Sequence, residues 1–325
     1  MKEISILEVD GVQIGHAQNL QAMTGCTVIL CENGGVAGLE VRGGGPASRE
    51  TELLKPLAAA SRIHAVVLSG GSAFGLAAAD GVMRYLYQKK IGFDAGAAKV
   101  PLVCASSIYD LQLGASDVWP DAAMGYQACQ NAGGCEWRDG NVGAGVGATV
   151  GKLFGLKRMM KGGVGGFAVQ LGDFQLGAVV VVNALGDIFD PVDGRQLAGL
   201  LDSDRTSFCS TEREFYRRWT TPDGWALQNT TLGVIVTNAV FTKTEMNKIA
   251  SMASNGLART IRPLNTSMDG DAIYAISTGN RVRANVDVAG TLAAYTVAMS
   301  VKRAVLSVEG IGGVLAARDL MSLDE

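Results

Sequence analysis

Short apolar runs alternate with longer polar or helical stretches along this 325-residue chain. Several of the runs are rich in β-branched residues and bounded by Gly, Asn or Asp, a pattern typical of strands. Their apolar character at nearly every position indicates that they are buried. The predicted strands are Cys26–Leu30, Ala65–Leu68, Gln175–Val182, Leu232–Thr237 and Ala272–Ser277.

Apolar residues at helical spacing predict helices between and after these strands. They are Ala73–Lys89, a helix opened by the capping-box pair Thr242 and Glu245 and ended by Pro263, and Val286–Val305. The first is expected to take Ser72 as its N-cap and to bury a stripe that includes Phe74. The last is rich in Ala and strongly apolar, so it is expected to be buried.

The least apolar stretch of the chain is residues 203–228, which Pro222, Asp223 and Gly224 punctuate. A mobile segment at this place would allow two newly cut chain ends to move apart. An ordinary surface loop explains the same composition equally well.

Composition sets the broad class of protein. At 48% hydrophobic residues the chain can bury a sizeable core, as one large domain or two small ones. Charged residues make up 18% and the net charge is −3, so the sequence lacks the excess of basic residues that is typical of nucleic-acid-binding proteins. The start of the chain lacks a signal-peptide pattern, and no uncharged apolar run reaches about 18 residues. These features predict a cytoplasmic protein that does not span a membrane.

Cysteine and histidine usage argues against several chemistries. The cysteines show no C-x-x-C spacing and are expected to be small apolar core residues. They are Cys26, Cys31, Cys104, Cys129, Cys135 and Cys209. The only histidines, His16 and His64, are expected to be structural. Neither a metal site nor a Ser-His-Asp triad is therefore predicted.

A glycine-rich run, residues 143–151, precedes Lys152. It does not fit a phosphate-binding P-loop, because the glycine spacing differs and Leu153, not Ser or Thr, follows the lysine. A dinucleotide fingerprint is also excluded, since no strand precedes the run and no acid follows at about 20 residues. The run instead indicates close backbone packing. Because lysines are rarely buried without a partner, Lys152 is a candidate site residue.

Further polar candidates stand at the ends of predicted strands. Asp269 and Asp271 flank a glycine just before a strand, where they either share a buried site or cap a turn. Asn183 follows a long buried strand, as a satisfied core amide or as a donor to an oxyanion. Tyr109 follows another apolar run, and its simplest interpretation is a half-buried aromatic side chain.

The dipeptide Asn229-Thr230 offers a nucleophile. Thr230 lies at the start of a predicted strand, directly after the polar stretch. If the bond before it is cut, the new chain start carries a hydroxyl and a free α-amine on one residue. That amine supplies a general base within reach of its own side chain.

Several motifs in order resemble those of the L-aminopeptidase/D-esterase (DmpA-like) family of N-terminal-nucleophile hydrolases. This family includes β-peptidyl aminopeptidases and nylon-oligomer hydrolases, and the resemblance runs nearly from end to end. The motifs here are Val41-Arg42-Gly43-Gly44-Gly45-Pro46, Ser69–Leu76, Asn141–Gly145 with Gly151-Lys152, Asn229-Thr230-Thr231, Asp269-Gly270-Asp271 and Ser277-Thr278-Gly279.

The resemblance implies an α/β fold built as a layered αββα sandwich, as in DmpA and ornithine acetyltransferase. It implies one domain over residues 1–325 that cuts itself between Asn229 and Thr230. The products, residues 1–229 and 230–325, would stay together and assemble as a homo-oligomer, commonly a tetramer of cleaved pairs. The expected substrate is a small peptide or amide, with no cofactor or metal.

Residue roles follow from the same resemblance. Thr230 would be the nucleophile and, through its amine, the base. Lys152 and Asn183 would line the site, with Asn183 as the oxyanion donor, and Tyr109 would contact the substrate. Asp269 and Asp271 would support the threonine. For the step before the amine exists, Lys152 or an aspartate is the expected base.

Two other functions fit the same sequence. One is an acetyl-transferring relative of ornithine acetyltransferase, which is similar in fold and also cuts itself before a threonine. The other is an uncut, glycine-rich protein that binds a small molecule.

Overall fold

The computed structural model describes residues 1–134, 136–220 and 229–321. Cys135 and residues 221–228, with the Pro222–Gly224 part of the polar stretch, lie outside the described residues. The strands, numbered along the chain, are β1 (Lys2–Ile4), β2 (Gln13–Asn19), β3 (Thr24–Val41), β4 (Ala47–Arg49), β5 (Ile63–Ser69), β6 (Phe93–Asp94), β7 (Lys99–Val100), β8 (Val103–Ser107), β9 (Thr149–Val150), β10 (Met160–Lys161), β11 (Val164–Leu171), β12 (Phe174–Asn183), β13 (Asp187–Phe189), β14 (Gln196–Ala198), β15 (Thr230–Ala239), β16 (Ile261–Arg262) and β17 (Ala272–Val282).

Helices connect and cover these strands. The α-helices are α1 (Ala78–Gln88), α2 (Ala122–Asn131), α3 (Thr211–Arg217), α4 (Lys243–Ala258), α5 (Val286–Leu306) and α6 (Ala317–Met321). Short 3-10 helices span Ile6–Glu8, Thr51–Leu54, Ser72–Ala77, Gly143–Gly145 and Lys152–Lys157. None of the helices in the described part of the chain combines the length and apolar character needed to cross a bilayer.

Strand β3, 18 residues long, joins two sheets. Residues 36–41 pair antiparallel with β17, whereas the earlier part of the strand pairs with β5 and β2. The strand order is β1-β11-β12-β15-β17-β3 in the first sheet and continues β3-β5-β8-β4 in the second. In the first sheet β15 is central, antiparallel to β12 and parallel to β17.

The two sheets form the inner layers of an αββα sandwich. Side chains of each strand alternate between its two faces, so one face of each sheet packs against the other sheet and the opposite face packs against helices. Val179 of β12 and Val66 of β5 belong to one apolar cluster between the sheets. Val180 lies on the other face of β12 and packs with α4 and α5. Val67 lies on the other face of β5 and packs with α1 and α2. The predicted α/β sandwich is confirmed.

Each predicted strand lies within a longer observed one, β3, β5, β12, β15 or β17. The capping box is also present, since Thr242 accepts from the Glu245 N–H and the Glu245 side chain bonds back to the Thr242 N–H. Helix α5 matches its prediction and is largely buried. Helix α4 ends at Ala258, however, and a short strand follows, so Pro263 does not end it as predicted.

The prediction for the first helix is wrong at its start. Residues 72–77 form a 3-10 helix before α1, and Ser72 has a left-handed φ of 54° inside it. Its hydroxyl does not cap the helix, and Gly71 occupies the N-cap position. Phe74, predicted to be buried, is 57% exposed and stacks on Trp119 with ring centroids 4.5 Å apart.

Part of the polar stretch forms a helix anchored to the core, not a loop. Asp187 of β13 accepts hydrogen bonds from the backbone N–H and the hydroxyl of Thr211, both at 2.7 Å. Thr211 is the first residue of α3, and Ser210 caps that helix. These hydrogen bonds therefore fix the start of α3 to the core, a few residues before the segment 221–228.

Substituting Thr242→Ala is expected to lower the free energy of unfolding by about 1 kcal/mol, because it removes the N-cap of α4. Thr244→Ala is the matched control. It makes the same chemical change at an exposed position inside the helix, where Ala is the better helix former. Urea titration of the two variants measures the difference, and equal stability of both would contradict a capping role.

Candidate active site

Thr230 is the first residue of β15 and is 5% exposed. On one side it pairs with Asn183, the last residue of β12. On the other side β15 runs parallel to β17, so the Asp269–Asp271 turn that precedes β17 lies beside the start of β15. The sheet register alone therefore brings four predicted site residues together: Thr230, Asn183, Asp269 and Asp271.

The carbonyl of Asn229 receives two hydrogen bonds. The Thr230 hydroxyl donates to it at 2.5 Å, and the Gly270 N–H donates to it at 2.8 Å. A side chain at position 270 would crowd the Thr230 hydroxyl, because a Cβ there would lie 2.7 Å from Thr230 Oγ1. The hydroxyl therefore lies next to the carbonyl of the predicted cleavage bond, and a backbone donor polarises that carbonyl.

The two aspartates are buried and hold the turn together. Asp271 accepts from the Thr231 N–H at 2.5 Å and from the Asn265 N–H at 3.0 Å. Asp269 accepts from the Thr266 N–H at 2.6 Å. Burial raises the pKa of Asp271, and the nearby charge of Asp269 raises it further. Both sequence interpretations, a turn cap and a buried pair beside the threonine, hold at once.

The backbone of the glycine motif at residues 42–45 is hydrogen-bonded to this turn. The Gly45 N–H donates to the Asp269 carbonyl at 2.8 Å, and the Arg42 N–H donates to the Asp271 carbonyl at 3.0 Å. A Cβ at Gly43 would lie 2.2 Å from the Asp269 carbonyl oxygen. Glycine is needed here because the two backbones approach closely.

Lys152 and Asn183 are hydrogen-bonded to each other. Lys152 Nζ donates to Asn183 Oδ1 at 2.6 Å, and the Thr149 N–H donates to the same oxygen at 3.1 Å. The Asn183 amide nitrogen donates to the Tyr109 carbonyl at 3.1 Å. Among the described residues this amide nitrogen makes one hydrogen bond, which leaves its second N–H for another acceptor. The contacts with Lys152, Thr149 and Tyr109 fix the Asn183 side chain beside Thr230.

Burial lowers the pKa of Lys152 to about 7. The carboxylates of Asp110, Asp269 and Asp271 oppose this shift, and the positive charge of Lys161 adds to it. Near pH 7 the Lys152 amine is therefore partly neutral, and a neutral amine can act as a general base.

Sequence reasoning missed two buried ionisable residues whose charges act on Lys152. Lys161 is fully buried and donates to the carbonyls of Gly145, Ala148 and Gly162 at 3.2, 2.5 and 3.0 Å. Burial lowers its pKa to about 7. Its ammonium ties the glycine-rich run to β10, which explains why that run packs so closely. The signal was a lone lysine between Met160 and glycines in an apolar segment.

Asp110 is the other missed residue. It accepts from the Gly71 N–H at 2.6 Å and from the Thr24 hydroxyl at 2.7 Å. Burial raises the pKa of its carboxyl, although these donors and Lys152 lower it. A Cβ at Gly70 would lie 2.1 Å from its Oδ2 atom. The signal was the Gly70-Gly71 pair, because Gly70 leaves room for a buried carboxylate and Gly71 donates its N–H to it.

A cavity of about 170 Å³ lies beside Thr230. Its described lining carries hydroxyl, amide and apolar groups without a charged side chain: Gly45, Ala47, Ser72, Ser107, Tyr109, Asn229, Thr230, Ser267 and Met268. Tyr109, the predicted substrate contact, lines this cavity, and its backbone carbonyl accepts from the Asn183 amide.

The histidines and cysteines lie elsewhere in the fold. His16 Nδ1 bonds Thr27 Oγ1 at 2.9 Å, and burial lowers the pKa of the imidazole to about 4. His64 Nδ1 accepts from the Leu102 N–H at 3.1 Å. The cysteines that the structure describes are free thiols, and all but Cys209 are buried. Within the described ranges no cluster of three His, Cys, Asp or Glu side chains is placed to hold a metal ion.

Together these groups can perform acyl transfer. They supply a hydroxyl nucleophile, a buried amine whose pKa is near neutral, carboxylates beside it and N–H donors at a carbonyl oxygen.

Solved structures share this fold. The L-aminopeptidase D-Ala-esterase/amidase of Ochrobactrum anthropi, described as a variant of the Ntn hydrolase fold, superposes with a TM-score of 0.74 at 19% identity. A β-aminopeptidase of a Burkholderia species superposes with a TM-score of 0.67 at 21% identity. Each comparison covers 98% of this chain and 92% of the other.

Sequence relatives are more similar. An uncharacterized aminopeptidase of Mycobacterium leprae is 37% identical over 95% of this chain and 92% of the relative. A 6-aminohexanoate-oligomer endohydrolase of an Agromyces species is 31% identical over 85% of this chain and 76% of the relative. The profile of peptidase family S58 matches residues 5–318. The chain therefore belongs to peptidase family S58, the family that the sequence motifs indicated.

Proposed function

We propose that this protein is a self-cleaving amide hydrolase in which Thr230, freed at a new N-terminus, is the nucleophile. The observation that carries the proposal is the Thr230 hydroxyl beside the Asn229 carbonyl, with Gly270 N–H on the same oxygen. Membership of a peptidase family supports hydrolysis over the acetyl-transferring alternative and over an uncut binding protein.

Self-cleavage begins when Thr230 Oγ attacks the carbonyl carbon of Asn229 and its proton passes to neutral Lys152. The Gly270 N–H stabilises the oxyanion. Collapse breaks the C–N bond, the leaving nitrogen takes the proton, and the acyl group of Asn229 is left as an ester on Thr230. Water then hydrolyses the ester and leaves residues 1–229 and 230–325.

Turnover in the cut protein uses the same oxygen. The α-amine of Thr230 accepts the hydroxyl proton while Oγ attacks a substrate amide, and the remaining Asn183 N–H serves the oxyanion. The amine then protonates the leaving nitrogen, and water releases the acyl group. Asp269 and Asp271 favour the charged form of the amine. The substrate is a small peptide or amide, and a cytoplasmic homo-oligomer of cleaved pairs is the proposed form.

Thr230→Ala is expected to remain a single chain near 33.8 kDa and to lack amidase activity, because both reactions lose their nucleophile. Thr230→Ser is expected to cut and to hydrolyse. Thr237→Val, which removes a hydroxyl at the far end of the same strand, is the control and is expected to cut normally. Intact-mass spectrometry and an amide-release assay test this, and turnover by Thr230→Ala would overturn the assignment.

Self-cleavage is expected to slow as the pH falls below about 7, because only neutral Lys152 accepts a proton and its pKa is about 7. Precursor refolded at pH 5.5 and shifted to values up to 8.5 can be followed on denaturing gels.

Lys152→Met and Lys152→Arg separate a base from a positive charge in that step. Both are expected to cut at least about 100-fold more slowly, since arginine keeps the charge but does not give up its proton. Cutting by Lys152→Arg at the wild-type rate would show that the charge alone is sufficient.

Hydrolysis by the cut enzyme is expected to rise with pH to a midpoint at or above about 7.7–8.0, the reference pKa range of an α-amine, because the base must be neutral and the two aspartates favour its charged form. A pH–rate profile of kcat/KM measures this. A maximum near pH 4–5 would point to a carboxylate base instead.

A further inference from the structure

Asp110 lies where several segments of the chain meet. Its Oδ1 atom accepts from the Gly71 N–H at 2.6 Å, and its Oδ2 atom accepts at 2.7 Å from the hydroxyl of Thr24, the first residue of β3. A Cβ at Gly70 would lie 2.1 Å from Oδ2, and a Cβ at Gly147 would lie 2.4 Å from the same atom. Two glycine-containing motifs therefore leave room for one carboxylate, and Asp110 is only 3% exposed.

Backbone hydrogen bonds join the segment around Asp110 to the turn at Gly71. The Ile108 N–H donates to the Ser69 carbonyl at 2.8 Å, and the Ser72 N–H donates to the Ile108 carbonyl at 2.9 Å. Ser72 also lines the cavity beside the proposed nucleophile. Together with the Asp110 carboxylate, these bonds fix one side of that cavity to the end of β8.

The peptide group before Asp110 reaches Asn183. Its carbonyl, which belongs to Tyr109, accepts from Asn183 Nδ2 at 3.1 Å. A carbonyl can only accept, so this contact selects the NH₂ end of the amide and turns its oxygen towards Lys152. Lys152 Nζ donates to that oxygen at 2.6 Å. In the proposed function the orientation of Asn183 therefore matters twice, because its oxygen holds the base of self-cleavage and its remaining N–H serves the oxyanion of hydrolysis.

We propose that Asp110 is a positioning residue for acyl transfer at Thr230: its carboxylate fixes the peptide group whose carbonyl orients the Asn183 amide. This inference rests on the proposed function and adds a residue that acts through Asn183. The competing role is purely structural, in which Asp110 only joins the segments that meet around it. The two roles differ in what happens to rates when stability falls by the same amount.

Asp110→Asn keeps the shape of the side chain and weakens its contacts, because an ionised carboxylate accepts hydrogen bonds more strongly than an amide oxygen does. Precursor refolded at pH 5.5 and shifted to pH 8.5 is expected to cut at least about fivefold more slowly than wild type. Denaturing gels follow the cut, and melting temperature measures the loss of stability.

Asp139→Asn is the matched control. Asp139 is a half-buried carboxylate that also accepts two N–H donors, from Gly166 at 2.7 Å and from the Trp137 indole at 2.6 Å. This variant is expected to cut at the wild-type rate even where its melting temperature falls. Equal slowing in both variants, or cutting by folded Asp110→Asn at the wild-type rate, would overturn the inference.

A double-mutant cycle with Asn183 tests whether Asp110 acts through that amide. Asn183→Ala removes the acceptor of Lys152 and is expected to slow cutting by itself. In that background Asp110→Asn should add less than about a twofold loss, since the amide that it positions is gone. A double variant that multiplies the two single losses would make the role of Asp110 structural.

Thr24 allows the same test with the carboxylate left in place. Thr24→Val removes one donor to Asp110 and is expected to slow cutting about threefold or more. Thr24→Ser keeps the hydroxyl and is expected to cut at the wild-type rate. Equal rates for these two variants would contradict the inference even where Asp110→Asn does not fold.

Turnover in cut protein separates positioning from binding. Cut Asp110→Asn is expected to lose kcat on L-alanine 4-nitroanilide, a small probe for a small cavity, by about fivefold or more, while KM stays within about threefold. The reason is that the Asn183 N–H acts on an oxyanion that forms only during the reaction. A higher KM with unchanged kcat would refute the positioning role. Wild-type protein that neither cuts itself nor releases 4-nitroaniline would instead refute the proposed function.

Discussion

The carbonyl group of Asn229 is the point on which the rest of the site depends. Its oxygen accepts from the Thr230 hydroxyl and from the Gly270 N–H, and both donors are positioned by the sheet. Strand β15 starts at Thr230 between β12 and β17, so any shift of register would move the hydroxyl away from the carbonyl. The central position of this strand makes such a shift costly, because both of its edges are paired.

Buried charge is the second constraint on this fold. Lys152 and Lys161 are both covered by the core, and isolated ammonium groups in such surroundings are strongly disfavoured. Lys161 is satisfied by three carbonyls, which fixes the glycine-rich run. Lys152 donates a hydrogen bond to the Asn183 side-chain oxygen, and the negative charges of three aspartates favour its charged form. Burial lowers the pKa of both lysines to about 7, so their hydrogen-bond partners, and not their pKa values, distinguish the two.

The sequence predicted the buried strands and the polar residues at their ends, because these follow from local pattern and from long motifs in order. It did not predict the left-handed conformation of Ser72, which follows a Gly71 whose N–H donates to Asp110, a residue in the segment after β8. Phe74 fitted a helical stripe but lies on a 3-10 helix, where that spacing no longer faces the core. Long-range contacts decided both cases, and local periodicity contains no information about them.

In the proposed mechanism one cavity would serve both self-cleavage and hydrolysis of a substrate. A precursor needs a rigid contact on the carbonyl that is attacked, since the Thr230 hydroxyl must reach it without a bound substrate. It does not need contacts on the Asn229 side chain, and an unpaired buried carboxamide favours departure once the bond is cut. After that cut the remaining groups would keep their positions, because β15 is paired with β12 and β17 on its two edges. The surface that held the first acyl group would thus be available, already formed, to the next.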